Sequence, residues 1–186
     1  MAVEEIKYDV VKTDGNIEIR DYKPVVIAEV TVEGTRREAP STAFRTLFNY
    51  ISGENVTAKE IPMTAPVSQE AVSQKIPMTA PVSQAKAEEG AWKVAFYMPA
   101  DMTMKTAPKP KNEAITMREV KYGKMAAIRF SGRSTDSNIN EHDEELKAYL
   151  KKNNIKFDEE KRLLAFYDAP YVPWFLRRNE VLYPVN

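Results

Sequence analysis

Two stretches of this chain, residues 17–34 and 115–132, align without a gap over eighteen residues. Ile17 falls on Ile115, Arg20 on Arg118, Asp21 on Glu119, Lys23 on Lys121, Ala28 on Ala126, Val30 on Ile128 and Gly34 on Gly132. Matching spacing of this kind means one structural unit used twice. In the first copy Val26, Ala28, Val30 and Val32 share one side and Glu29 and Thr31 the other, the period of a half-buried strand. Asn16–Tyr22 reads as the strand before it, and Ile6–Thr13 joins that strand through Asp14-Gly15, a dipeptide suited to a tight hairpin turn.

The segments after Gly34 and Gly132 also agree. Between Arg36 and Ser52, Pro40, Ala43, Phe44, Leu47, Phe48 and Ile51 keep helical spacing, with Arg37, Ser41, Arg45 and Asn49 on the wet side. In the second unit Asp136 or Ser137 can cap a helix whose apolar face carries Ile139, His142, Leu146, Tyr149 and Leu150. Ala91–Pro99, Arg162–Ala169 and Arg178–Val185 add strands, and Ala107–Lys111, with two prolines, is the best linker. The expectation is one domain over residues 1–186, with halves of about 1–106 and 112–186. Their sheets join into one curved antiparallel sheet or open barrel with two helices outside. The two units would enclose a hollow able to take a flat apolar molecule.

Between the halves the nonapeptide Ile-Pro-Met-Thr-Ala-Pro-Val-Ser-Gln occurs at 61–69 and again at 76–84. Two copies at so short a period exclude a solenoid. Proline at the second and sixth positions assigns the copies to edge strands or strand borders. Facing each other across a turn at 70–75, they would form a hairpin arm over 61–84, an edge on which a protein partner can add a strand.

Composition removes whole classes of function. The 27 Lys+Arg balance 27 Asp+Glu, so no basic excess points to nucleic acid. Zero cysteines exclude disulfides, thiolate metal sites and cysteine nucleophiles. No apolar run reaches the roughly 18 residues of a membrane span, and the first residues lack the basic and apolar regions of a signal peptide, so the expected compartment is cytoplasmic, with a signal peptide removed before residue 1 left open. No Gly-x-Ser-x-Gly elbow or phosphate-binding glycine pattern is present, and His142-Asp-Glu-Glu145 lacks the second histidine of a zinc-protease helix. The expectation is a protein without catalytic activity.

Three segments in order, Tyr8–Tyr22, the paired Ile-Pro-Met-Thr-Ala-Pro-Val units and Tyr167–Val181, resemble the SOUL haem-binding protein family over nearly the whole chain. The resemblance implies an α+β fold in which a duplicated antiparallel sheet-plus-helix unit forms a distorted open β-barrel flanked by two helices. It also implies reversible binding of haem or another tetrapyrrole, in a binding or carrier role, with haem not required for folding. The same duplicated unit is similar to gyrase-inhibitor-like effector-binding modules, so a small-molecule or protein-interaction role is the alternative. Within that frame the candidate cofactor-binding residues are Arg45, His142, Tyr171, Trp174 and Phe175. His142, the single histidine, is the candidate iron ligand, although its apolar helix face equally suits a packed structural histidine. Tyr171, Trp174 and Phe175 lie in a proline-rich loop and can wall a flat ligand or plug the barrel end. Met63, Met78, Met98, Met102 and Met104 read as core fillers before ligands, and Arg177-Arg178 can pair with propionates or with Glu180 or Asp168.

Overall fold

The computed structural model describes residues 4–57, 73–87, 90–169 and 171–186. The chain runs through β1 (Glu4–Glu5), β2 (Tyr8–Asp14), β3 (Ile17–Tyr22), β4 (Val25–Glu33) and helix α1 (Ala39–Ser52). It continues through β5 (Asn55–Val56), β6 (Thr79–Ala80), β7 (Val82–Lys86), β8 (Ala91–Tyr97), β9 (Lys109–Pro110), β10 (Ile115–Val120) and β11 (Gly123–Phe130). Helix α2 (Asp136–Lys152), β12 (Leu163–Phe166) and β13 (Asn179–Pro184) complete it. Nine strands make one antiparallel sheet in the order β10-β4-β8-β7-β12-β13-β11-β3-β2, and the two helices cover one of its faces. The fold is the expected α+β open barrel with two helices outside.

In space the repeat is an exchange. β3 lies against β11, with Tyr22 opposite Gly123 and Ile17 opposite Ile128; β10 lies against β4, with Val120 opposite Val25 and Ile115 opposite Val30. Replacing each residue by its counterpart in the sequence alignment turns one ladder into the other. Each unit thus gives its first strand to the second strand of the other, and both parts of the sheet, four strands on the β10 side and five on the β2 side, contain residues of both units. The halves meet where β7 pairs with β12, Gln84 opposite Leu164.

α1 is delimited locally. Pro40 sits in its first turn, and Gly53 ends it at φ 127°, a conformation open to glycine. Ala43, Leu47, Tyr50 and Ile51 pack on Val26, Ala28 and Val30 of β4 and Val94 and Phe96 of β8. The expected stripe needs correction at two positions: Phe44 and Phe48 are 39% and 46% exposed and stack on each other, while Tyr50 is fully buried. α2 is capped by Thr135, whose Oγ1 accepts from the Asn138 amide at 3.3 Å, one residue earlier than expected. Its buried Ile139, Leu146 and Leu150 pack on Ala126, Ile128 and Val181. Asp143, also buried on that face, accepts from the Tyr183 hydroxyl at 2.6 Å and from Arg162 at 3.0 Å.

The segment expected as a linker is fastened down. Ala107 is buried, the Tyr50 hydroxyl donates to the Pro108 carbonyl at 2.8 Å, and Lys109–Pro110 pairs with Asn55–Val56. Prolines cannot donate to a ladder, but their carbonyls still accept. Burial pushes the Tyr50 hydroxyl pKa up to about 12. Tyr50→Phe strands that carbonyl, and a loss of about 1–2 kcal/mol in urea unfolding is expected.

The second nonapeptide copy is described and the first is not. Ile76 is buried and its amide donates to Ile51 at the end of α1; Thr79–Ala80 pairs with Glu4–Glu5. Pro81 stands just before β7, so the proline marks a strand border, as expected, and the strand it precedes is an interior one between β8 and β12. The proposed hairpin arm rests on residues 58–72, which lie outside the described residues.

Candidate functional site

The face of the sheet away from the helices is closed by its own side chains. Tyr22, Met125, Ala127, Ala165 and Leu182 form one cluster and Ile27, Ala95 and Tyr97 another, and Ile6 and Tyr122 touch both. Between them remains a cavity of about 10 Å³, lined by Ile6 and four tyrosines among others. That volume holds roughly one water molecule. The expectation of an enclosed hollow for a flat ligand is corrected here, because tyrosine rings and the N-terminal strap occupy the space.

Towards one end the same face turns ionic. The Glu180 carboxylate, 1% exposed, accepts from both terminal nitrogens of Arg20, at 2.6 and 2.9 Å, from Nε of Arg178 at 3.0 Å and from the Tyr167 hydroxyl at 2.8 Å. Arg20 is itself buried, reaches Glu18 at 2.7 Å and the Tyr22 hydroxyl at 3.0 Å, and covers the Tyr8 ring. Arg178 lies over the Tyr167 ring and bonds Glu5 at 2.9 Å. Burial by itself would raise the Glu180 pKa, but the hydrogen bonds and charge of Arg20, then Arg178, outweigh it and hold the group below the usual carboxylate range. Burial is also the first reason that the Tyr22 and Tyr167 hydroxyls are pushed up.

Beside this network opens a surface cleft of about 410 Å³. Four arginines line it, Arg20, Arg129, Arg177 and Arg178, together with Tyr8, Phe130 and Leu176. Two of the four are committed to Glu180, and Arg177 donates from Nε to the Val172 carbonyl at 2.8 Å. Arg129 is exposed and has no ion pair among the described residues. A cleft of this size is within the range of small-ligand sites, and a solvated guanidinium at its edge is the group that recognises a carboxylate in bidentate fashion.

Residues 3–184 match the family model described as SOUL heme-binding protein. The chain belongs to the SOUL haem-binding protein family. Heme-binding protein 2 of Homo sapiens is 29% identical to this SOUL chain over 168 residues, 90% of this chain and 77% of that protein. Among solved structures, the EcmrR C-terminal domain matches with a TM-score of 0.63 at 10% identity, over 96% of this chain and 98% of that one. A hydrolase from Listeria innocua matches at 0.60 and 10% identity, over 95% and 94%. At such identities the likeness is one of fold.

The SOUL chain gathers some of the expected site residues and separates others. Trp174 and Phe175 meet edge to face at 5.6 Å in a short 3-10 turn, Trp174–Leu176, whose last residue lines the cleft. The turn is anchored through the Gly132 amide, which donates to the Trp174 carbonyl at 3.1 Å. Tyr171 stands out from the same loop, 89% exposed. His142 stacks on Phe130 at 4.2 Å, and its Nδ1 donates to the Asn138 carbonyl at 2.8 Å. In the neutral ring that leaves the lone pair on Nε2, yet the imidazole sits one ring behind the cleft and does not line it. Arg45 is exposed on α1, in the other half, next along the helix to the stacked Phe44 and Phe48.

Arg129 and Glu180 were not picked out as site residues from the sequence of this SOUL chain. Alternation carried the signal for both. Met125, Ala127 and Arg129 share the face opposite Ala126, Ile128 and Phe130, and Glu180 and Leu182 lie on that same face of the sheet, directly across from Arg129 and Ala127. Among the described residues no three His, Asp or Glu side chains group as a metal site, and no helix is long and apolar enough to cross a membrane.

Proposed function

We propose that this chain binds a carboxylate-bearing tetrapyrrole, haem or its metal-free counterpart, at the arginine-lined cleft, as a binding or carrier protein that performs no chemistry on it. The observation that carries this reading is the pairing of an exposed Arg129 with a cleft of about 410 Å³ edged by Phe130 and Leu176. Family membership and the human haem-binding relative support the ligand class. A flat macrocycle with acidic arms needs a cation for a propionate and an apolar or aromatic surface for its face. Arg129 serves the first, and Trp174, Phe175 and Tyr171 beside the cleft serve the second. The domain acts as one piece over 1–186, from halves of about 1–106 and 112–186, since the strand exchange ties them together.

The residues present fit haem as a surface ligand held by its carboxylates and ring face. Of the named cleft residues Tyr8 alone is of a type that ligates iron, and its ring lies under the Arg20 guanidinium at 4.4 Å. When bound, haem would bring its iron and its Soret absorption; the chain contributes position, charge pairing and partial exclusion of water. Hemin titration should therefore give a saturable Soret change at about one equivalent. Free-base protoporphyrin should bind within about fivefold of hemin, roughly 1 kcal/mol. His142→Ala should leave the Soret position where it was. A shifted band in that variant would make the imidazole an iron ligand and move the site, while unsaturable binding would remove the function.

The α1 flank is the second reading, on the strength of one observation: stacked, half-exposed Phe44 and Phe48 adjoining Arg45. Phe48→Asp decides between the surfaces. It weakens hemin binding only if the ligand lies on α1.

A further inference from the structure

We propose that the loop between β12 and β13 is a membrane-docking element that seats on anionic phospholipid. Four large side chains within six residues face solvent: Tyr171 at 89%, Trp174 at 51%, Phe175 at 57% and Leu176 at 65% exposure. Among the described residues the other exposed large apolar side chains come singly or in pairs, namely Val10 with Val11, Phe44 with Phe48, and Met104. The loop is not exposed for want of anchoring. Gly132 donates to the Trp174 carbonyl, Leu176 to Pro173 at 2.9 Å and Arg177 to Val172 at 2.8 Å. A held loop presenting a contiguous apolar tip is an interaction surface.

Charge decides the partner. Arg133 is exposed with its guanidinium 5.6 Å from the Trp174 ring centre, and Arg129 is exposed at the end of the adjoining strand β11. Most carboxylates bonded into these elements are already paired with arginines: Glu18 and Glu180 hold Arg20, Glu180 also holds Arg178, and Asp136 holds Arg36, while Asp168 accepts from the Arg178 backbone amide and keeps its charge. The whole chain is neutral, yet this corner carries a cationic collar around an apolar tip. That combination matches the bilayer interface, where Trp and Tyr settle at headgroup depth, Phe and Leu reach the acyl boundary, and arginines pair with anionic headgroups. Docking would place the mouth of the arginine cleft, with Leu176 on its rim, at the surface from which an apolar macrocycle partitions. That last consequence rests on the proposed function; the docking does not.

The test uses the full chain without ligand, sedimented with vesicles of phosphatidylcholine alone or with about one-third phosphatidylserine. Binding to the anionic vesicles only, a blue shift of tryptophan emission and weakening by salt are expected. Tyr171→Asp and Phe175→Asp should each reduce binding about tenfold or more. Arg129→Glu with Arg133→Glu should do the same, at about fivefold per lost arginine. Tyr171 is so exposed that its variant folds, which keeps the experiment readable. Failure to bind anionic vesicles, equal binding to neutral ones, or undiminished binding by the loop variants overturns the proposal. So does a loop variant that alters self-association instead, since the tip would then be a protein contact. Hemin titration of the unaltered chain separates the two readings, because vesicle binding without saturable hemin binding rejects the tetrapyrrole function alone.

Discussion

Glu180→Ala is expected to cost about 3–5 kcal/mol of stability and to lower the thermal midpoint by roughly 10 °C. The carboxylate is 1% exposed and is shared by Arg20, Arg178 and Tyr167; removing it leaves a buried guanidinium facing another with Glu18 and Glu5 only at the edges. Breaking one member of a buried set costs more than the set contributes, because the remaining charge stays desolvated. Arg20→Met combined with Glu180→Leu should therefore be far less damaging than either single change. The pH dependence comes from the direction of the shift. Glu180 has a folded pKa below its ordinary 4.5, so its contribution is fully present above that value and is lost as pH falls through the lower folded pKa. Wild-type protein should lose stability across acid pH below about 4.5, and Glu180→Ala should lack that component. Urea midpoints at neutral pH and through the acid range provide the measurement. A cost under about 1 kcal/mol would mean that the network is solvated in solution.

Arg129→Glu is expected to weaken hemin binding about 10- to 100-fold at low ionic strength, the worth of a charge-assisted pair to a carboxylate plus the repulsion that replaces it. The same change should leave the unfolding midpoint nearly where it was, since Arg129 is exposed and has no ion pair among the described residues. Arg129→Gln should fall between, and raising salt should shrink the difference. Soret titration of the three proteins gives the answer. If Arg45→Glu produces the loss and Arg129→Glu does not, the ligand sits on the α1 flank.

Much of the secondary structure could be read directly. The hairpin Tyr8–Tyr22, the alternating strand Val25–Glu33 and both helices appear in the structure within a few residues of their expected bounds. Boundaries slipped where a cap lies one residue outside the apolar pattern, as at Thr135, or where an aromatic flank mimics a core stripe, as at Phe44 and Phe48. The Ala107–Lys111 segment misled for a different reason. Proline content marks a segment that cannot donate ladder bonds, and says nothing of a buried tyrosine reaching for its carbonyl. The site was less legible than the fold. Trp174 and Phe175 stood out as large apolar residues in a loop and Glu180 as a carboxylate partner for Arg177-Arg178, which Arg178 takes up, whereas Arg129 looked like an ordinary charged strand residue until its neighbours were known.

Local sequence determined the elements and their duplication, because alternation, helical spacing and turn residues act over a few positions and the two copies kept them in step. From that alone came the α+β class and two helices outside one sheet; the family came from the resemblance of Tyr8–Tyr22, the paired Ile-Pro-Met-Thr-Ala-Pro-Val units and Tyr167–Val181. Only the tertiary structure decided that each unit lends its first strand to the other, that tyrosines and Ile6 fill the barrel, and that Arg20 meets a carboxylate 160 residues away. Those outcomes depend on which surfaces of distant strands are buried together, and a charge's partner, unlike a strand's period, leaves no mark at short range.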